Sequence, residues 1–488
     1  MTAENKYRVS SYVAEYKKKD LFAYYNNKNL QVIYGKKPLK KIIDDLKQPQ
    51  ELENYIKKFP TKRDELRPIL HTLVSEGYLV TGTEDPILNS SEIEERNRIN
   101  PNLLRFLLTF DCNLECKYCQ IKTNLFSEYN KPITREEIDK SFELFKKNTN
   151  EYHTISMSGG EPTLNFELVK YIVEKTKKEL KPGKYRIVLS SNGTMITDGI
   201  ADYIVKENLL PIISLDGREE DNKMRVYRNG LESYKIVLAG LEKLKKHNCK
   251  KIAISMTIGT HNIKNIKKIM KNIINEIEPV SVGYNFVHYP YFDNQHYSLP
   301  NIDDYSKAVI HIFTELRKHK IYDDQFFRRL QPFVERKVRI KECSALGGAL
   351  NLVPGGLIGP CKTLLTSRHF SQPINITEKI ADSKIFTEFS NRNTLSLEEC
   401  QNCVARTICG GGCTFDSFVT YRDISHVDKR NCDYIKKVLE FMIWDLYRLA
   451  QKKKTELLIP TQVDRQKMYG GIALSSTTLA ESVGHKIY

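Results

Sequence analysis

No stretch of the 488-residue chain approaches the ~20 consecutive apolar residues that a membrane-spanning helix needs, so no membrane association is expected. The N-terminus, MTAENKYRVSSYVAEYKKKD, lacks the apolar block of a secretory signal, and a cytoplasmic location is expected. Internal repeats are missing as well. Disulfides are rare in such a reducing compartment, so the eleven cysteines point to metal binding or catalysis, and their spacing decides which.

The rest of the composition, 40% hydrophobic and 28% charged, is that of a globular chain long enough for two or three domains. The net charge of +16 comes from lysines scattered through segments such as KYIVEKTKKELKPGKYR and LEKLKKHNCKK, which read as solvated helix faces. A nucleic-acid partner is therefore not expected.

From about Leu103 to Lys320, short β-branched runs alternate with helical stretches, giving six βα units. The strand candidates are LLRFLLTF, HTISMSGG, YRIVLSSNG, PIISLDG, KIAISMTIG and VSVGYNFVH. Six units are too few to close an eight-stranded barrel, so the expected fold is α/β, a partial (β/α)6 TIM-like barrel over 100–320 with an open side. Polar and glycine residues gather at the strand ends, Ser158 to Glu161, Ser190 to Gly193 and Ser214 to Gly217, where such folds carry their active sites. Residues 1–90 read as a hairpin followed by three helical stretches, a winged-helix-like domain. A loop-rich segment over 335–440 leads into a C-terminal helix and a tail without periodicity over 441–488, expected to be mobile or partner-dependent.

Directly after the first strand comes Cys112-x3-Cys116-x2-Cys119. Three thiolates leave one iron of a cubane without a protein ligand, able to chelate a substrate, whereas structural zinc wants four closed ligands and neither His nor a fourth Cys lies in this loop. With Tyr118 before its third cysteine, the loop resembles the radical S-adenosylmethionine superfamily signature. Ser158-Gly159-Gly160-Glu161-Pro162 is similar to the GGEP motif of that family, which implies that Gly159, Gly160 and Glu161 bind the amino group of the cofactor's methionine. The resemblance implies ribose and carboxylate contacts from Ser190, Ser191 and Asn192. Ser214-Leu215-Asp216-Gly217 with downstream Arg225 resembles the SLDG segment of one large branch, in which the arginine pairs with the methionine carboxylate. The His-Asp pair often found four residues before that arginine reads Asp221-Asn222 here. Reductive cleavage of S-adenosylmethionine and hydrogen-atom abstraction by the resulting 5′-deoxyadenosyl radical are the implied chemistry. No catalytic base is assigned, and Asp216 is expected to be structural.

The other cysteines, Cys343, Cys361 (after Gly356), Cys400-x2-Cys403-x5-Cys409-x3-Cys413 and Cys432, match the seven-cysteine pattern of the SPASM domain. That resemblance implies two auxiliary clusters, a distal one on Cys400, Cys403, Cys409 and Cys432 and a proximal one on Cys343, Cys361 and Cys413, making three [4Fe–4S] clusters in all. Cys249 is left over as a structural cysteine. The segment before Cys343, RKVRIKE, supplies no fourth proximal cysteine, so that iron is expected to be open, or closed by a non-cysteine residue or by substrate.

The N-terminal unit is similar to the leader-recognition element of maturases of ribosomally made peptides, which binds a precursor's leader as an added strand. The expected function is a peptide maturase installing a crosslink (thioether or C–C) or related C–H modification, with a precursor peptide as partner and flavodoxin or ferredoxin as electron donor. Two alternatives stand beside it: a SPASM enzyme acting on a protein (sulfatase-maturing type) or small molecule, and an iron–sulfur DNA-binding regulator. Lys362 follows the second motif cysteine where sulfatase-maturing relatives tend to carry a basic aspartate, which weighs against that type.

Overall fold

A computed structural model describes residues 6–121, 131–147, 152–290, 297–365 and 368–451. The N-terminal strands are β1 (Tyr7–Val9), β2 (Val13–Lys18), β3 (Leu21–Asn26), β4 (Gln31–Gly35) and β5 (Leu79–Thr81). They are followed by β6 (Leu103–Leu107), β7 (His153–Ser158), β8 (Tyr185–Ser191), β9 (Leu210–Ser214), β10 (Ala253–Ile258), β11 (Ser281–Phe286), β12 (Tyr322–Asp323), β13 (Ala349–Val353), β14 (Leu357–Gly359) and β15 (Gln372–Pro373).

The six expected strands are β6 to β11, and they pair in sequence order and in parallel. Alternate residues along them, Leu104 and Phe106, Ile155 and Met157, Ile187 and Leu189, Ile254 and Met256, all lie in one core with the covering helices. One covering helix, Arg135–Lys146, starts at Thr134, whose hydroxyl accepts from the Glu137 amide while the Glu137 carboxylate accepts from the Thr134 amide.

The sheet is larger than the sequence indicates. β12 adds a parallel strand beside β11, and β13 joins β6 in parallel, Ala349 opposite Leu103, before turning back antiparallel through β14 and β15. The sheet order is linear, with β12 and β15 at its edges, so among the described residues it is open rather than closed. β13 belongs to the stretch expected to be a separate loop-rich segment. Its partner lies some 240 residues earlier in sequence, and local periodicity carries no trace of such a pairing.

At the N-terminus the expected hairpin is a three-stranded antiparallel sheet, β2-β3-β4. The run YVAEYKKKDLFAYYN breaks into two strands at Lys19, which takes φ +55° although no glycine marks the turn. Helices Lys37–Asp45, Leu52–Lys57 and Arg63–Ser75 follow as expected. Alternation along β3 and β4 gives this sheet two buried faces: Phe22, Tyr24 and Ile33 pack on its own helices, while Ala23, Tyr25, Val32 and Tyr34 pack into the main core. There Tyr34 donates to the Ile443 carbonyl at 2.6 Å and its ring lies 5.0 Å from that of Tyr447. The helix bearing those two residues, Lys429–Gln451, runs unbroken across the expected boundary at 440/441, because its buried stripe of Ile435, Leu439, Met442 and Leu446 continues through it. The expected tail beyond it lies outside the described residues.

Candidate active site

The C-terminal end of β6 leads through Thr109 and Asp111 into the Cys112–Cys119 loop, and the loop after β7 folds tightly against this entry. The Gly160 amide donates to the Thr109 carbonyl at 2.7 Å and the Glu161 amide to the Asp111 carbonyl at 2.8 Å. A Cβ on Gly160 would lie 2.0 Å from the Asp111 oxygen, and one on Gly159, at φ +135°, 2.5 Å from the Thr109 oxygen. The sequence reading gave these glycines the task of admitting a ligand; in the structure their first task is to let two strand-end loops touch.

Glu161 is fully buried and acts as a staple between strand ends. Its carboxylate accepts from the Thr163 amide at 3.1 Å, the Ser191 hydroxyl at 2.8 Å and the Asn192 amide at 2.7 Å. Burial pushes its pKa up against these bonds. Asn192 in turn donates to Asn113 at 2.9 Å and reaches Cys112 Sγ at 3.7 Å, so the end of β8 holds the cysteine loop. Ser190 and Ser214 sit half-buried at the ends of β8 and β9. Ser191, rather than Ser190, makes the bond to Glu161.

On the other side, backbone bonds from Glu115 and Lys117 to the carbonyls of Val226 and Met224 bring Arg225 beside Cys116. Asp216, wholly inaccessible, is the hub here. Its Oδ1 accepts from Arg225 Nη2 at 3.0 Å and from the Thr257 amide at 2.9 Å, and its Oδ2 accepts from the Tyr118 hydroxyl. Burial opposes its ionisation, but Arg225, His261 and Tyr118 hold its pKa below the usual carboxylate value. From the turn after β9, Asp216 is thus tied to three elements at once, the cysteine loop, the segment bearing Arg225 and the end of β10. His261, after β10, stacks on Tyr118 at 5.9 Å and was missed by the sequence reading, since nothing but its position after a strand marks it. Arg225 Nε and His261 Nε2 are both buried without a hydrogen-bond partner.

The cysteines fall into three sets. Cys112, Cys116 and Cys119 face one another; burial, then Glu161 and Cys119, push Cys112 up to about 11, and burial, then Cys119 and Cys112, push Cys116 up to about 12. Cys413 faces Cys361 and Cys343, and Cys343 faces Cys361. Cys400, Cys403, Cys409 and Cys432 line one small recess, where burial and mutual repulsion push Cys400 and Cys432 up to about 12. Such thiols stay protonated near neutrality unless a cation displaces the protons, and the unpartnered Nε–H of Arg225 beside Cys116 suits an anionic cofactor group. The residues present therefore fit three iron–sulfur clusters and a bound S-adenosylmethionine. Cys249 stands apart, half-buried at a helix-to-strand junction with Lys251 as its charged neighbour.

Two cations lie beside the sulfurs. Lys362 has an exposed side chain but faces Cys119, Cys361 and Cys413; desolvation by the surrounding protein and the charge of Arg105 bring its pKa down to about 8. Arg392, 4% exposed, faces Cys413 and Cys343 on one side and Cys400 and Cys409 on the other, and donates to the carbonyls of Gly411 at 2.7 Å and His426 at 2.9 Å.

The "Radical SAM superfamily" profile matches residues 106–273, from β6 into the helix after β10. The chain is 24% identical to the radical SAM cyclopropyl synthase TigE of Paramaledivibacter caminithermalis over 429 residues, 83% of this chain and 88% of TigE. Its fold is similar to that of anSMEcpe with bound AdoMet and Cp18Cys peptide, at TM-score 0.60 and 20% identity over 72% of this chain and 100% of that one. It is also similar to Streptococcus suis SuiB bound to its precursor peptide SuiA, at TM-score 0.52 and 14% identity over 87% and 99% of the two chains. Among the described residues no helix is long and apolar enough to cross a membrane.

Proposed function

Because the chain belongs to the radical S-adenosylmethionine superfamily and is an enzyme of that chemistry, we propose that it is a maturase of a ribosomally made precursor peptide that installs a crosslink, thioether or carbon–carbon, or a related C–H modification. The observation that carries this reading is the grouping of ten cysteines into three facing sets. S-adenosylmethionine bound beside a reduced [4Fe–4S] cluster supplies a 5′-deoxyadenosyl radical for hydrogen abstraction, and the other residues orient and shield.

In this reading Cys112, Cys116 and Cys119 hold the first cluster, and Cys400, Cys403, Cys409 and Cys432 the distal one. Gly159, Gly160, Glu161, Ser190, Asn192, Ser214 and the ring of Tyr118 shape the cofactor pocket. Arg225 spends Nη2 on Asp216 and keeps Nε for the cofactor's carboxylate. Lys362 and Arg105 offset the negative charge of the proximal thiolates, a task for which a cation is needed and an aspartate base would not serve.

The N-terminal unit would bind the leader on the outer edge of β2, which pairs only with β3 among the described residues and is largely exposed. That SuiB was crystallised with its precursor peptide and anSMEcpe with a Cp18Cys peptide agrees with a peptide substrate. A flavodoxin or ferredoxin would reduce the clusters.

Anaerobically reconstituted protein should carry about twelve irons and lose about four when Cys112, Cys116 and Cys119 become Ala. Incubated with S-adenosylmethionine, reductant and a peptide encoded beside the gene, it should release 5′-deoxyadenosine and change the peptide's mass, and hydrogen exchange at Val13–Lys18 should slow on peptide binding. Salt-dependent DNA binding without deoxyadenosine would sink the reading.

A further inference from the structure

The proximal set has three cysteines, and no other cysteine faces it among the described residues. It does have a neighbour of another kind. A ring nitrogen of His288, Sγ of Cys413 and a carboxylate oxygen of Asp416 all lie within 4.8 Å of one another. His288 stands just beyond the end of β11, so the sheet delivers it to the cysteines as it delivers the first cysteine loop from β6.

The arrangement around the ring is that of a ligand held ready. His288 Nδ1 bonds Asp416 Oδ2 at 2.9 Å, and Phe415 packs edge-on against the ring at 5.1 Å between centroids. Asp416 is buried and both its oxygens are engaged: Oδ2 by His288, and Oδ1 by the Tyr289 amide at 3.2 Å and by Arg430 Nη2 at 3.4 Å. Arg430 is itself fixed over the Tyr289 ring at 3.6 Å. A carboxylate so committed serves best as the partner that orients the ring, and with Nδ1–H on Asp416 the imidazole keeps the Nε2 lone pair free. Metal-bound histidines characteristically hand their other ring N–H to a carboxylate in this way. From Cys119 the loop is tied to the same spot: Gln120 donates to the Tyr297 hydroxyl at 2.9 Å, which donates to the His288 carbonyl at 2.9 Å.

We propose that His288, through Nε2, is the fourth protein ligand of the cluster held by Cys343, Cys361 and Cys413, with Asp416 fixing its tautomer. Coordination through Nε2 would form one Fe–N bond in place of a water otherwise on that iron. It closes the proximal cluster, which then carries electrons between the distal set and the first set rather than binding a substrate thiolate. The inference rests on the cluster assignment made above and narrows it.

The test uses the full chain with Cys112, Cys116 and Cys119 changed to Ala, so that only the auxiliary clusters, about eight irons, remain. Pulsed EPR of the reduced protein should show a nitrogen coupling of a directly bound imidazole, and labelling histidine with ¹⁵N should shift it. H288A should abolish the coupling. H288C, which offers a thiolate in the same place, should abolish it while keeping the iron, which guards against a variant that merely fails to fold. Absence of the coupling with iron at full content, or its survival in H288A and H288C, overturns the ligand assignment alone. If C343A, C361A and C413A do not lower the iron content, the proximal cluster itself falls and the ligand with it.

Discussion

The wholly buried ion pair of Asp216 and Arg225 should show its cost most clearly when only one partner is removed. In D216A, Arg225 is left inaccessible with no counter-ion at 3.0 Å, and the Thr257 amide and Tyr118 hydroxyl lose their acceptor. Breaking a buried pair from one side costs about 3–5 kcal/mol, most of it the stranded charge. R225M leaves a carboxylate that still has the Thr257 amide, Tyr118 and His261 near it, so its cost should be smaller, about 2 kcal/mol. In the double variant no charge is stranded, and it should be more stable than D216A alone. Urea unfolding of the four iron-free proteins, followed by circular dichroism, should give a coupling energy of about 3 kcal/mol. Additivity within about 0.5 kcal/mol would refute the hub role of Asp216.

Three further outcomes follow from the same geometry. G160A drives a methyl group onto the Asp111 carbonyl and should cost about 3 kcal/mol, with lowered iron content at the first site; a variant as stable and as iron-rich as the parent would contradict this. Y34A removes a buried ring and its bond to Ile443 and should cost about 3–5 kcal/mol, with limited proteolysis now cutting within residues 6–81. Burial raises the Asp323 carboxyl to about 7 although it accepts from Phe326 and Tyr284, so the stability it contributes is full below about pH 4 and is lost as pH rises through about 7. Between pH 5 and pH 8 the wild type should therefore lose up to about 3 kcal/mol relative to D323N in urea titrations, and parallel pH profiles would refute the assignment.

The features legible in the sequence were those with a local signature. Six strands, their order and the cysteine spacings could be read because each is a short-range pattern with a physical period or count. What escaped were pairings between distant segments: β13 against β6, Tyr34 against Ile443, His288 against Asp416. A lone histidine after a strand carries no mark of its partner until the fold supplies one. The turn at Lys19 escaped for a different reason, since a lysine adopts φ +55° there only because the flanking strands hold it.

The docking of β3 and β4 onto the helix Lys429–Gln451 has a consequence for biosynthesis. A ribosome delivers Tyr34 409 residues before the Ile443 carbonyl it bonds, and Tyr25 382 residues before Thr407. Until that helix emerges, the nascent chain displays an apolar face that invites chaperones or aggregation, and a truncated transcript would display it permanently. The last cysteine, Cys432, lies in that same helix, so completion of the distal site and closure of the first-made sheet are events of the same late moment.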